Sequence, residues 1–442
     1  MKKTSRRTFL SQSALSLASA SAGMSATTFP SMICMPNTLQ SHAVEPSPNN
    51  RLQIGVIGVD GQGRYNWGEL LRTASDIVAL CDVDETRAGA ARGQFPKAKF
   101  FRDYRKMLEM KQLDAVLIAT PDHHHAPAAS RALQSGLHVY CEKPLTHSVA
   151  ESRHLAELAR SKKRVTQMGT QIHAGNNYRR VVEVIRQQVI GKVKEVHVWV
   201  GKSWGGTGKR PTDKVEIPKT LSWDTWLGPA KERPFNPTYV GGGDWRRWWD
   251  FGGGTLADMA CHFCDLPFWA LDLKYPTKIS ARGPSLNPEM AATWMEVEYD
   301  FPDLKFFWYD GGKKPALLND KKVPINWGDG VIFVGEKGML AANYGTYKLF
   351  PEDKFKDFKA PPQSIPNSIG HHKEWVEACK SGGQTTCNFT YSGRLTETVL
   401  LGVVAFRTGK TLEWDATKLK VTNVPEAEEL IKGYHRNGWE LV

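Results

Sequence analysis

Three sets of residues in this chain have the types and spacing to do chemistry. Lys143 sits in Cys141-Glu142-Lys143-Pro144, between an apolar run and a proline. An ammonium fixed there can hydrogen-bond a hydroxyl and stabilise alkoxide character as a hydride leaves. Partly desolvated, it can also exchange a proton. Asp258 and His262 are four apart and Asp265 follows, so on a helix they share a face. A carboxylate can then orient an imidazole for proton transfer near neutrality; the same spacing also fits a histidine satisfied inside a core helix. The third set is Gly58, Gly61 and Gly63, followed by Asp82. Glycines let a backbone approach a phosphate closely, and an acid about 20 residues past such a turn is placed to hold ribose hydroxyls.

Three other groups invite a metal reading. His123, His124 and His125 are consecutive, and neighbours on a turn or helix point in different directions, so three in a row rarely bind one ion. They read as loop residues near the cofactor. Cys261 and Cys264 form C-x-x-C, but no second pair stands at zinc spacing, so they read as packing residues. His173 with His262 and Asp258 is the other conceivable ligand set; no metal is expected.

The elements that position these residues follow from pattern. "RLQIGVIGVDGQGRYNWGELL", from Arg51, runs apolar strand, glycine turn, helix, so that free helical N–H groups face a pyrophosphate. Asp60 stands where G-x-G-x-x-G has its second glycine. "DIVALCDVDE" gives a second strand ending at Asp82, which disfavours a 2′-phosphate and favours NAD over NADP. "DAVLIAT", "LHVYCEKP" and "RVTQMGTQ" continue the strands, separated by helical stretches. Repeated strand–helix units imply a parallel sheet that binds ligands at the carboxyl ends of its strands. Thr120, Pro121, His125, Glu142 and Lys143 fall at those ends and join the glycines and Asp82 as expected cofactor contacts.

After Gln171 the strands follow one another: "KVKEVHVWV", "ATWMEVEYDF", "KFFWYD" and a hairpin turning near Gly335–Gly338. This suggests a largely antiparallel sheet open on one face, with helices near His371–Lys380 and Ser392–Arg407. The stretch Ser203–Phe251 is rich in Gly, Pro and Trp, in a chain with 15 tryptophans. Indole faces stack on sugar rings, so Trp245 and Trp249 are read as substrate contacts or core, and Trp223 and Trp226 as core. Gln171, His173 and Arg180, just past the sixth strand, are further expected substrate contacts.

The chain has 442 residues, 41% hydrophobic and 24% charged, which suits a two-domain globular protein. Thr4–Leu10, "TSRRTFL", looks like a twin-arginine export signal, with Leu10–Ala22 as its apolar region and cleavage expected after Ala20 or Ala43. That signal implies passage through the twin-arginine translocase and a periplasmic or otherwise exported protein, with no stable membrane insertion. The net charge of +12 falls to +8 without residues 1–43 and forms no basic stripe, which argues against nucleic acid. The seven cysteines form no dense disulfide framework.

"CEKPLTHS" at Cys141–Ser148 and "GGGTLADMACHFCDLPFWAL" at Gly252–Leu271 resemble the two signatures of the Gfo/Idh/MocA oxidoreductases. The ending "EWDATKLKVTNVPEAEELIKGYHRNGWEL" resembles a subgroup with twin-arginine signals. The resemblance implies a signal at residues 1–43, an NAD-binding Rossmann domain at 51–170, and a domain at 171–442 for substrate binding and oligomerisation. It implies a homo-oligomer, a sugar or glycoside substrate, and catalysis by Lys143, Asp258 and His262. Exported relatives of this kind include sugar–sugar oxidoreductases and NAD-dependent glycosidases, so oxidation, redox-neutral cleavage or epimerisation, and a non-catalytic sugar-binding role all fit.

Overall fold

The computed structural model describes residues 51–319 and 322–442; the expected export segment and its cleavage points lie outside them. Near the start of the described residues, short apolar runs form β1 (Leu52–Ile57), β2 (Ser75–Cys81), β3 (Lys99–Phe101), β4 (Ala115–Ile118), β5 (His138–Cys141) and β6 (Thr166–Met168). They make one sheet in the order β3-β2-β1-β4-β5-β6, with every pair parallel. Helices α1 (Gln62–Leu70), α2 (Glu85–Gln94), α3 (Tyr104–Met107), α4 (His125–Gln134) and α5 (Val149–Lys162) link the strands. Both faces of the central strands are buried: Ile54, Val56, Val116 and Leu117 have no exposure. That explains why these strands read as continuous apolar runs rather than alternating ones. The start of α5 is fixed by a capping box between Ser148 and Glu151.

From α6 (Asn176–Arg186) the chain enters a second sheet through β7 (Val193–Val200). There follow α7 (Trp223–Leu227), α8 (Gly254–Phe263), α9 (Asp265–Leu271), β8 (Lys278–Arg282), β9 (Glu296–Phe301), β10 (Leu304–Tyr309), β11 (Asp329–Gly335), β12 (Gly338–Ala342) and β13 (Tyr347–Phe350). Helices α10 (His371–Ser381) and α11 (Phe389–Thr408), strands β14 (Leu412–Asp415) and β15 (Lys420–Val421), and α12 (Ala427–Lys432) complete it. The strand order is β13-β12-β11-β7-β10-β9-β8-β14-β15. All its pairs are antiparallel except β7 with β10. The hairpin expected at Gly335–Gly338 is there, with those two glycines paired. Period-two alternation sends Val196, Val198 and Phe333 to the helices and Trp199 and Ile332 to the other face. That other face is only partly open, because Leu317, Leu318, Val323 and Ile325 pack over it at the β11–β13 end.

A third apolar cluster decides the shape of the site. Leu221, Trp223, Trp226, Leu227, Phe235, Tyr239, Trp248 and Phe251 pack on one another, and Trp223 and Trp226 stack at 4.9 Å. This knot is pinned to the first sheet by main-chain bonds from Ser222 N to Val83 O and Glu85 N to Thr220 O. The tryptophan-rich stretch therefore forms a roof over the carboxyl end of the parallel sheet. Among the described residues no helix is long and apolar enough to cross a membrane.

The two sheets are joined by α5 and α11, where Arg153 makes a bidentate pair with Glu397 at 2.9 and 3.0 Å. Burial raises the Glu397 carboxyl to about 7 despite Arg153. Its protonated form is thus favoured by folding, and stability present below the unfolded value of about 4.3 is lost as pH rises through about 7. Arg153→Ala should cost about 3 kcal/mol at pH 8, because it leaves a buried carboxylate unpaired. The loss should be smaller at pH 6, where that carboxyl takes up a proton; urea unfolding at the two pH values measures the difference.

Candidate active site

The glycine turn after β1 leaves no room for a side chain at Gly58 or Gly63. A Cβ on Gly58, whose φ is +80°, would lie 2.4 Å from the carbonyl oxygen of Ala119, and one on Gly63 would lie 1.9 Å from that of Gly58. The turn therefore coils against β4 and aims the start of α1 at the strand ends. Asp60 fits because its carboxylate turns toward α2 and meets Arg87 at 3.1 Å. Asp82, at the end of β2, accepts from the backbone N–H groups of Val59 at 3.1 Å and Asp84 at 3.0 Å. It thereby locks the glycine turn as well as facing the cavity.

That cavity has a volume of about 600 Å³, and Gly58, Gly61, Asp82, Thr120, Pro121 and Lys143 line it. Its size falls in the range of ligand sites. Five buried polar atoms on residues of its wall have no partner: Thr120 Oγ1, Tyr104 Oη, His124 Nδ1, Arg102 Nε and His262 Nδ1. A closed glycine turn, an acid at the second strand and unpaired hydrogen-bonding groups between them fit a dinucleotide.

The chemical end is built on Lys143. Its Nζ donates to Asp258 Oδ1 at 2.6 Å and to the Asp258 carbonyl at 3.1 Å. Arg246 Nε donates to the same Oδ1 at 2.7 Å. Burial alone would raise the Asp258 carboxyl, but Lys143 and Arg246 outweigh it and hold the group well below the usual carboxylate range. His262 lines the same cavity and its Nδ1 is buried without a partner. Burial, with Lys143 next, lowers its imidazole to about 3. Asp122 interacts with this group; burial raises it to about 8, assisted by Asp258 and opposed by Arg246 and Lys143, which pushes it toward its protonated form. The arrangement offers a fixed ammonium, a neutral imidazole and a guanidinium around one space.

Several expected contacts are corrected by these positions. Asp258 does not orient His262; its oxygen serves Lys143 and Arg246 instead. The imidazole is not poised near neutrality, because desolvation beside two cations opposes its charge. His125 does not line the cavity: its ring nitrogens face the carbonyls of Pro144 at 2.7 Å and Thr120 at 2.9 Å, tying two strand exits together. His173 is fully buried, with Nδ1 at 2.9 Å from Asp265 and its ring stacked on Trp269, so it is grouped with neither His262 nor Asp258. Cys387 is the third potential ligand beside His173 and Asp265. Arg180 reaches Ile365 O and Glu183 rather than the cleft. Trp249 is core, its Nε1 donating to Asn287 O at 2.9 Å. Trp245 lines the cavity with Arg246 stacked over its ring at 4.2 Å, and Gln171 lines it too. Trp223 and Trp226 are core, and Trp226 also reaches the cavity wall.

Glu142 lines the cavity, but its Oε1 is occupied by Asn66 at 2.8 Å, Gln171 at 2.8 Å and Gln62 at 3.2 Å. Asn66 in turn accepts from His372 of α10 at 2.9 Å. Asn66, Gln62, Asp122 and Tyr104 escaped the sequence reading. Only the i, i+4 spacing of Gln62 and Asn66 on the first helix hinted that they share a face.

The chain belongs to the Gfo/Idh/MocA oxidoreductase family, whose NAD-binding Rossmann fold matches residues 52–170 and whose C-terminal alpha/beta domain matches residues 176–441. An inositol 2-dehydrogenase of Salmonella paratyphi B is 30% identical over 150 residues, which is 33% of this chain and 45% of that enzyme. The chain thus spans less than half the length of that relative. The WlbA dehydrogenase of Chromobacterium violaceum, solved with NADH and UDP-GlcNAcA, superposes with a TM-score of 0.60 at 16% identity, over 85% of this chain and 99% of that one. The aldose–aldose oxidoreductase of Caulobacter crescentus superposes with a TM-score of 0.55 at 15% identity, over 82% and 100%. These likenesses give the fold, and residues 52–170 form the NAD-binding Rossmann domain of this family.

Asp258→Asn should cost about 3 kcal/mol at pH 7, because two cations lose the charge they share. The folded carboxyl is depressed, so the stability is present above the unfolded value of about 3.9 and lost as pH falls toward the folded one. Chemical unfolding should therefore show the gap between wild type and variant narrowing below about pH 4.

Proposed function

We propose that this protein oxidises a carbinol of a sugar, glycoside or cyclic polyol, and that its NAD stays bound and is recycled within the catalytic cycle. The observation that carries the reading is the Lys143–Asp258 contact of 2.6 Å in the cavity that also holds the dinucleotide turn. NAD, when bound, supplies the nicotinamide carbon that accepts a hydride from the carbinol carbon.

The protein's part is positional and electrostatic. Lys143 Nζ, held by two bonds to Asp258, keeps a donor for the substrate oxygen. The neutral His262 ring accepts a hydrogen bond from the same hydroxyl. Burial and Lys143 resist imidazolium formation. The proton therefore moves to the ring only as negative charge grows on the oxygen, which ties proton loss to oxidation. Arg246, stacked on Trp245, offers its outer nitrogens to ring hydroxyls or a carboxylate, and the indole faces a sugar ring. Gln171 keeps its amide oxygen for a hydroxyl while its nitrogen serves Glu142.

Retention of NAD is supported by the aromatic roof and by the twin arginines at residues 6 and 7, which suit export of a folded, loaded protein. With no free cofactor to exchange, the net reaction would be an exchange between two sugars, an epimerisation or an elimination. Protein purified without added cofactor should release about one equivalent of NAD per chain on denaturation, read by absorbance and mass. Lys143→Met should keep that NAD yet lose at least 100-fold in reduction of bound NAD by sugars, a loss of the size seen when an oxyanion donor is removed. Unchanged single-turnover reduction in that variant would overturn the assignment, and an empty wild-type protein would replace recycling by ordinary dehydrogenase turnover.

A further inference from the structure

We infer that the segment Gly433–Val442 is a latch on the NAD cavity, with Arg436 and Trp439 as positioning residues that set how fast the cofactor leaves. The inference rests on the reading of this cavity as the NAD site and is independent of the substrate.

The segment leaves α12 and crosses the first sheet's helices to the roof. Arg436 binds the roof four times. Its backbone N–H donates to Pro229 O at 2.9 Å, and Nε donates to Gly228 O at 3.0 Å. Its terminal nitrogens donate to the side chain of Asp224 at 2.7 Å and the carbonyl of Asp224 at 2.9 Å. Asp224 and Gly228 flank Thr225 and Trp226, which line the cavity. The Trp226 carbonyl lies 2.8 Å from His124 Nε2 and 3.1 Å from His123 Nε2. Gly228, at φ +48°, passes so close to the His124 ring that a Cβ there would lie 2.1 Å from it. Arg436 thus clamps the part of the roof that rests on His124.

Trp439 works from the other side. Only 3% exposed, it sets its ring edge-on to Tyr104 at 5.8 Å and to His124 at 5.5 Å. Both of those residues line the cavity, and each carries one of the unpartnered buried polar atoms. The Arg105 guanidinium lies over the indole ring at 3.9 Å. The Gly438 carbonyl accepts from Arg131 at 3.1 Å, and His435 bonds Glu151 at 2.7 Å, anchoring the segment to α4 and α5. Two rings and a roof loop are therefore held by residues that never touch the cavity. Loosening them lets the roof, with Thr225 and Trp226 of the cavity wall, lift away from the cavity.

The test is the NAD dissociation rate of the holoprotein, followed by displacement with excess labelled NAD at 20 °C or below. Trp439→Ala and Arg436→Gln should each release NAD at least tenfold faster than wild type. Arg153→Ala, which weakens the fold away from the cavity, is the control and should release it at the wild-type rate. If the latch variants lose melting temperature as the control does but release NAD no faster than it, the segment is only structural and the proposal fails. Should Trp439→Ala not fold, Arg436→Gln and Trp439→Phe carry the comparison. Rapid NAD release by the wild type itself would sink the recycling reading, while the ratio between variants and wild type would still decide the latch.

Discussion

A buried ammonium costs several kcal/mol unless a partner and hydrogen bonds meet it. Lys143 meets that cost with Asp258, and the requirement organises the rest of the site. Asp258 comes from α8 in the second domain, whereas Lys143 ends β5 of the first. The pair therefore works only when the two sheets are docked. Arg246 shares the same carboxylate oxygen, so it arrives in register from the roof. A single carboxylate thus joins the strand end, the helix and the roof at one point. The Arg153–Glu397 contact between α5 and α11 carries no chemistry and joins the same two domains away from the cavity.

Glu142 plays the corresponding role on the cofactor side. Its carboxylate gathers amides from α1 and from the turn after β6, and Asn66 passes the connection to His372. Burial raises its carboxyl, against Lys143 and the three amides. Amides carry no net charge, so they fix the carboxylate without cancelling it. The residue expected to touch NAD is thus first a tether that sets the pitch of the dinucleotide helix.

The parallel sheet was legible because its strands are buried on both faces and leave apolar runs between turn residues, as at Ile54 and Val56. The glycine turn, Asp82 and Lys143 were legible because each owes its position to a strand end a few residues away. Legibility fails where position depends on distant chain. Asn66 and Gln62 reach Glu142 across 76 and 80 residues, and nothing local marks them as partners. Trp245 and Trp249 have the same composition around them, yet one lines the cavity and the other bonds Asn287 in the core. A short irregular segment has no fixed period to tell such faces apart. His125, His173 and Arg180 failed for a related reason: being near a strand's end places a residue close to the cleft without aiming its side chain there. Each is drawn off by a nearer acceptor, Thr120 O, Asp265 or Glu183.

The charges around Lys143 are unequal in a way that would favour the proposed oxidation. Lys143 and Arg246 pair with Asp258, which is held ionised, while burial, with Asp258 nearby, raises Asp122 to about 8 and pushes it toward its protonated form. His262 stays neutral. Within this group positive charge exceeds negative, while the Glu142 carboxylate faces the amides of the cofactor side. Negative charge growing on a substrate oxygen is therefore met by donors already oriented, at no further cost of rearrangement. Were Asp122 ionised, that excess would vanish and the pull of Asp258 on both cations would be shared. The burial that makes the charged centre costly thus also pushes a second carboxyl toward its neutral form, which in the proposed reaction would leave Lys143 free for the substrate.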